Sequence, residues 1–270
     1  MEAKSGCPVL AMLGELTGPA GWPAWARVGV MAYGLAAYGA FFGTILYAIG
    51  FVGNWVVPKS IDSGGAAEPV SAMLVNAGLL SVFVVQHTVM ARRWFKAWVT
   101  RWLPAAMERS TFVLLASASL ALIFWQWRPM PGVVWEVENV AARAVMHAVS
   151  LAGWATVLLS SFMVSHWDLF GLRQVWFAWK GRAYAPVGFR LRGLYRLVRH
   201  PLMMGFLVAF WSAPTMTLGH LFCALMVSGY IAFGVWMEER DLVREHGAAY
   251  LEYRRKVRAV IPLPRRAVAG

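Results

Sequence analysis

Two cysteines in 270 residues cannot make a disulfide framework. Cys223 lies in an apolar run, where it reads as a small buried hydrophobe, and Cys7 stands far from it in sequence. Charge is equally scarce, at 14% against 59% apolar residues, a balance outside that of soluble globular chains. Also missing are a G-x-G-x-x-G after a strand, a Walker loop and a nucleophile elbow. Their absence argues against a dinucleotide-binding sheet, a P-loop nucleotidase and an α/β-hydrolase. Strand patterning is weak throughout, and no internal repeat or low-complexity tract stands out. The first 28 residues lack a continuous apolar core with a small-residue cleavage site, so no cleavable signal peptide is expected.

What the chain does have is long apolar runs. A helix needs roughly 20 apolar residues to cross a bilayer. Runs at Val28–Val52, Val70–Met90, Thr111–Trp127 and Ala144–Ser165 meet that length or approach it. A fifth, Leu202 to Met237, is too long for one span and is broken at Ser212–Thr217, "SAPTMT", which reads as a turn. The expected fold is all-α: a polytopic membrane helical bundle of four spans, then a C-terminal helical hairpin with a short first arm, then a C-terminal helix. Residues 1–165 would form the membrane helices with a loop at 92–109. Residues 166–270 would carry the polar loop, hairpin and tail, all within one integrated domain.

The formal charge of +12 is concentrated in Arg92–Arg109, His166–His200 and the tail from Arg240 to Arg266. The other loops hold only Lys59, Arg128 and Arg143. The positive-inside rule then places both termini in the cytoplasm. The positive charge is explained by topology and by anionic lipid heads, without nucleic acid. Gly39 and Gly43 form a small-xxx-small pair suited to close helix packing.

The segment "YRLVRHPLMMGF", Tyr195–Phe206, sets Arg196, Arg199 and His200 against Pro201. Proline suits a first helical turn. The amides from Leu202 through Met203 to Gly205 are then expected as helix N-terminal donors that favour an anion. Gly205 is expected to admit a close backbone approach. At the far end of the hairpin comes "MEERDL", with Glu238 and Glu239. Because the hairpin doubles back, Glu238 should lie near Arg199 and His200. One reading is an Arg–Glu pair closing the hairpin. The other is a site for a zwitterion, its carboxylate on the basic arm and its ammonium or ribose hydroxyls on the acidic one, a pattern that S-adenosylmethionine has. In "YLEYRRKVRAVIP", Tyr250 and Tyr253 share a helical face beside Arg254. This stretch reads as an interfacial helix or as a lid over the ligand.

"RHPLMMG", "EERDL" and "YLEYRRKVRAVIP", in that order, resemble the isoprenylcysteine carboxyl methyltransferase-like family of membrane methyltransferases. The matching region, Tyr195 to Pro262, is about a quarter of the chain. Met203 departs from the tyrosine that the prenylcysteine enzymes usually have. With "QHTVMAR" (Gln86–Arg92) and "SHWDLFGLRQ" (Ser165–Gln174), the chain is most similar to the bacterial methanethiol S-methyltransferase branch. The resemblance implies S-adenosylmethionine as cofactor and a small thiol as substrate. It places His200, Glu238 and the amides after Pro201 in the cofactor site.

A thiol reacts as its thiolate, and ordinary thiols have a pKa of ~8.5, so a base or a cationic field should help. His87, His166 and His200 lie at the same expected membrane face, with His147 and His220 toward the other. Polar groups inside spans are expensive, so Gln86 and His87 are expected to face the bundle interior. Asp168, two residues after His166, would orient a histidine or cap the next helix. His87, His166 and Asp168 are therefore the candidate acceptor-side set, with a packing role for the histidines as the plain alternative. No histidines come as an i, i+4 pair, so spacing gives metal ligation little support. Trp94, Trp98, Trp102 and Trp167 read as an interfacial belt or as a plug for a small pocket. Competing readings are a prenylcysteine carboxyl or lipid-amine methyltransferase, and a non-catalytic membrane protein whose basic face binds lipid or a partner.

Overall fold

A computed structural model describes residues 19–65, 67–185 and 193–261. Cys7, Arg190, Arg192, Pro262, Arg265 and Arg266 lie outside the described residues. The chain is an all-α integral membrane protein. Helices are α1 (Ala24–Gly53), α2 (Pro69–Met90), α3 (Arg93–Val99), α4 (Ala105–Gln126), α5 (Val140–Val164), α6 (His166–Leu169) and α7 (Leu172–Trp179). They continue with α8 (Pro201–Trp211), α9 (Leu218–His246) and α10 (Ala248–Lys256). Five helices, α1, α2, α4, α5 and α9, are long and apolar enough to cross a membrane. The hairpin expected after Pro201 is present. Its first arm, α8, has 11 residues, and its second, α9, is a span in its own right.

Local chemistry sets several boundaries. Glu68 caps α2, its carboxylate accepting from the amides of Val70 at 3.0 Å and Ser71 at 2.6 Å, with Pro69 at the first helical position. Thr217 caps α9 by accepting from the His220 amide at 3.1 Å. Helix α9 runs on to His246, so Glu238 and Glu239 sit on its last turns rather than after it. Arg109 likewise belongs to α4, and α3 occupies part of the expected 92–109 loop.

Two short strands went unforeseen: β1 (Val133–Glu136) pairs antiparallel with β2 (Thr215–Thr217), inside the expected turn. Neither segment has enough length or alternation to announce itself, because the pairing is made across the chain.

The chain divides into two compact units. The first comprises 1–48, 77–126 and 165–188. In it, Trp22, Ala26 and Val30 of the α1 region pack with Val175 and Ala178 of α7. Met90, Phe112 and Val113 form a second cluster with Phe41, Phe95 and Phe170. The second unit comprises 49–76, 127–164 and 189–270. There the buried Asn76 side chain of α2 donates to the Arg128 carbonyl at 2.8 Å and accepts from the Arg128 amide at 2.9 Å. A polar side chain in an apolar helix is thus fully satisfied.

Helix α8 lies along α5. A Cβ on Gly205 would come 2.7 Å from the Gly153 carbonyl oxygen, and one on Gly153 would come 2.7 Å from the Gly205 oxygen. The approach that Gly205 permits is therefore to α5, not to a ligand. Nothing lies within 4 Å of a Cβ built on Gly39 or Gly43, whereas Gly153 and Gly205 do mediate a close helix contact.

Candidate functional site

The second unit gathers charge where the hairpin returns to its start. Arg199 is buried and donates from Nε to Glu239 Oε1 at 2.8 Å, with Nη2 at 2.5 Å from the same oxygen. Its Nη1 donates to the carbonyls of Arg254, at 3.1 Å, and Val257. One guanidinium thus ties α8's entry to α9 and to α10. The backbone adds to this. The amides of Arg199 and His200 donate to the carbonyls of Arg258 and Ala259 at 2.8 and 2.9 Å. The Tyr253 hydroxyl donates to the Tyr195 carbonyl at 2.5 Å.

His200 stands between the two glutamates. Its Nδ1 is 3.4 Å from Glu238 Oε2 and its Nε2 is 3.3 Å from Glu239 Oε1. The two carboxylates differ sharply. Glu239 also faces Arg254 Nε at 3.3 Å and is enclosed by cations. The Glu238 side chain remains 51% exposed. An Arg–Glu pair does close the hairpin, made by Arg199 and Glu239, and Glu238 is left open.

Further groups belong to the same end of the hairpin. Pro201, Leu202 and Met203 form the first turn of α8, and the Leu202 and Met203 amides have no intrahelical acceptor. The Met204 amide donates to the His200 carbonyl at 3.0 Å, which shortens the expected row of free donors. Tyr250 is buried, and its hydroxyl has no partner among the described residues. Burial, with Glu239 nearby, pushes the Tyr250 phenol up to about 12, so it stays a donor. Burial, with Glu238 close, also raises Tyr195. Arg196 is exposed in the 3-10 turn Gly193–Arg196.

The first unit holds the acceptor-side candidates. His87 on α2 packs against the rings of Phe83 and Phe112, at centroid distances of 5.2 and 4.7 Å. Arg109 lies over the other side of the same neighbourhood, 4.6 Å from the Phe112 centroid, with Nε donating to the Leu169 carbonyl at 2.6 Å. His166 is buried against Phe170, at 4.8 Å, and Phe170 stacks on Phe41 at 3.8 Å. The two histidines thus border one aromatic cluster that includes Phe41, Phe112 and Phe170.

Burial holds the His166 imidazole below its ordinary value of 6.5, so it is neutral at physiological pH. Its Nε2 is 2.9 Å from the Tyr38 hydroxyl. The sequence reading did not single out Tyr38. A phenol in the middle of an apolar span was the available signal.

Asp168 does not orient a histidine. Its carboxylate accepts from Arg173 Nη1 at 2.9 Å and the Tyr184 hydroxyl at 2.9 Å, with Ser165 Oγ at 3.5 Å. Nor does it cap the next helix, whose N-cap is Gly171. An aspartate near a histidine in sequence was taken up by cations and a phenol brought in from the following helix and loop.

No family model matches the chain, and no solved structure matches it. Characterised proteins do. The methanethiol S-methyltransferase of Mycobacterium tuberculosis is 52% identical over 234 residues, 87% of this chain and 96% of that protein. Methanethiol S-methyltransferase 2 of Bradyrhizobium diazoefficiens is 49% identical over 238 residues, 88% and 92% of the two chains. Nurim of Bos taurus is 26% identical over 228 residues, 79% and 86% of the two chains. With about half of the aligned residues shared across nearly the full length of two such relatives, the chain belongs to the methanethiol S-methyltransferase family and is a membrane methyltransferase.

Proposed function

We propose that the chain moves a methyl group from S-adenosylmethionine to methanethiol, releasing dimethyl sulfide, S-adenosylhomocysteine and a proton. The acceptor comes from what the relatives are named for. The donor rests on one observation: the open Glu238 carboxylate stands 3.4 Å from His200, the residue that opens α8, with the orphaned Tyr250 hydroxyl within reach of its charge. A carboxylate, a helix entry and a phenol at one junction suit a zwitterionic nucleoside amino acid. The Leu202 and Met203 amides and the exposed Arg196 suit its carboxylate. Glu238 suits its ammonium or ribose hydroxyls, and Tyr250 offers a further donor. S-adenosylmethionine supplies an electrophilic methyl carbon on a sulfonium. Arg199 is neutralised by Glu239 and the tail carbonyls, so it holds the walls of the site without setting a loose cation against that sulfonium.

The acceptor must give up its proton as its sulfur attacks. We assign that proton to His166, which burial keeps neutral and Tyr38 holds in place. His87 and Arg109 add a second polar wall to the aromatic cluster, and the Arg109 charge favours a thiolate. Asp168 keeps the α6–α7 segment in shape through Arg173 and Tyr184. The basic segments alternate with the apolar runs as the positive-inside rule expects, which suits the cytoplasmic side of a bacterial inner membrane, with both termini there.

The test uses purified protein in detergent, S-adenosylmethionine with a labelled methyl and methanethiol. Labelled dimethyl sulfide is expected, undiminished by a prenylated peptide or phospholipid. An intact, helical protein that forms none ends the proposal.

A further inference from the structure

The end of the hairpin away from Glu238 borders a cavity of about 200 Å³. Asn54, Trp55, Arg143, His147, Ser212 and Thr215 stand in its lining, which is more polar than apolar. Its place in the bilayer follows from α5. Near one end of that helix, Met163 Sδ accepts from the Leu194 amide at 3.3 Å, beside the base of the hairpin. Arg143 lies about 30 Å from Met163 along α5, at 1.5 Å per residue. That matches a hydrocarbon layer, so Arg143 stands at the membrane edge opposite the hairpin base.

Hydrogen bonding in this cavity is lopsided. The carbonyls of its wall are taken. Ala209 accepts from Ser150 Oγ at 3.0 Å, Ala213 from the Trp135 indole at 3.0 Å and Pro214 from the Val137 amide at 2.9 Å. Donors are left over. Arg143 spends Nη1 on the Val137 carbonyl and Thr215 Oγ1, each at 3.1 Å, and its Nε and Nη2 have no partner among the described residues. The same holds for the Ser212 hydroxyl and the His147 ring nitrogens, the ring packing on Trp55 at 5.2 Å. Thr215 accepts from Arg143 and keeps its own hydroxyl hydrogen to give. None of these side chains is sealed: Arg143 is 35% exposed, and His147, Ser212 and Thr215 are half-buried. Two carboxylates stand near. Glu136 lies 3.7 Å from Arg143 Nη1 with most of its side chain in the open, and Asp62 is held by Thr217 and Asn54.

A surplus of donors around one guanidinium calls for an anionic acceptor. A cation would face Arg143, and an apolar molecule would leave the donors unmet. The helix below the cavity says which anion. Leu151 and Leu158, at i+4 and i+11 from His147, share its side of α5 and are 47% and 50% exposed. A donor-rich recess at the membrane edge, with an open apolar strip running inward from it, matches a lipid better than a free ion. We propose that this cavity binds the phosphate of a glycerophospholipid headgroup. Arg143 and Ser212 donate to the phosphate oxygens, and an acyl chain lies along Leu151 and Leu158.

The test is native mass spectrometry of the full chain, stripped of lipid in detergent and titrated with phosphatidylglycerol. One lipid is expected to bind saturably and to survive activation that strips the rest. Arg143→Gln should weaken that retention about tenfold, as for loss of a hydrogen bond from a charged group. Ser212→Phe, which fills the cavity and leaves the Arg143 contacts in place, should abolish it and serves if Arg143→Gln does not fold. Diacylglycerol, which has the tails but no phosphate, should not be retained. Millimolar inorganic phosphate should not displace the lipid. Equal retention of diacylglycerol would mean that tail fit alone holds the lipid. Displacement by inorganic phosphate would mean a site for the free anion, and unchanged retention in the variants a lipid held elsewhere. Each of these results overturns the proposal.

Discussion

The charged junction of the second unit and the aromatic cluster of the first handle histidine in opposite ways. His200 has a carboxylate at each ring nitrogen, and its surroundings are saturated with ions. His166 sits among rings with a phenol at one nitrogen, and burial keeps it neutral. An imidazole clamped between two acids is suited to holding a structure and a charged ligand. A neutral imidazole is in the protonation state that can accept a proton. On the proposed function the contrast would separate binding from chemistry, and substitutions can break or sharpen it.

The largest effect is expected from Arg199→Ala, which leaves the buried Glu239 without its main partner. Removing one member of a buried pair costs about 3–5 kcal/mol. Thermal unfolding in detergent should show the loss, together with release of the tail helix to proteolysis. Retention of the wild-type midpoint would show that the tail does not depend on this guanidinium. Next is His166→Phe, for which turnover should fall roughly 100-fold, the lower range for loss of a general base. S-adenosylhomocysteine affinity should be unchanged. Since burial lowers the folded-state pKa of His166, the neutral base persists down to below pH 6.5, and its acid limb belongs there. A limb that survives the substitution would assign the base elsewhere.

Glu238→Gln comes third. It should weaken S-adenosylhomocysteine binding about tenfold, or ~1.4 kcal/mol, in calorimetry, with little change in unfolding temperature. A large stability loss with unchanged affinity would exchange the roles of Glu238 and Glu239. Smallest is Tyr38→Phe, which removes one hydrogen bond to His166 and should lower turnover about threefold to tenfold, a loss of ~0.5–1.5 kcal/mol. If Tyr38→Phe matches His166→Phe, the phenol takes part in proton transfer itself.

Much of this architecture was readable in the chain. Span positions follow from apolar length alone. The meeting of His200 with Glu238 follows from a short arm doubling back, since Pro201 and "SAPTMT" fix where the hairpin begins and turns. What sequence could not assign is which partner each polar group takes. Arg199 looked like a ligand for an anion and is instead consumed by Glu239 and two tail carbonyls. Asp168 looked like the mate of a nearby histidine and pairs with Arg173 and Tyr184. Gly205 looked like a gap for a ligand and receives α5. These outcomes depend on neighbours far away in the chain, to which local pattern is blind.

Helix α8 rises only about 16 Å, at 1.5 Å per residue, roughly half of a 30 Å hydrocarbon layer. The polypeptide must therefore finish that passage as open backbone, which lipid cannot hydrate. The β1–β2 ladder answers this need, joined by bonds from Val137 to the Pro214 carbonyl, at 2.9 Å, and from the Trp135 indole to Ala213, at 3.0 Å. A four-residue strand thus acts as the re-entrant backing of a truncated helix. Lengthening α8 by two to three turns, at about 5.4 Å each, would make that strand dispensable.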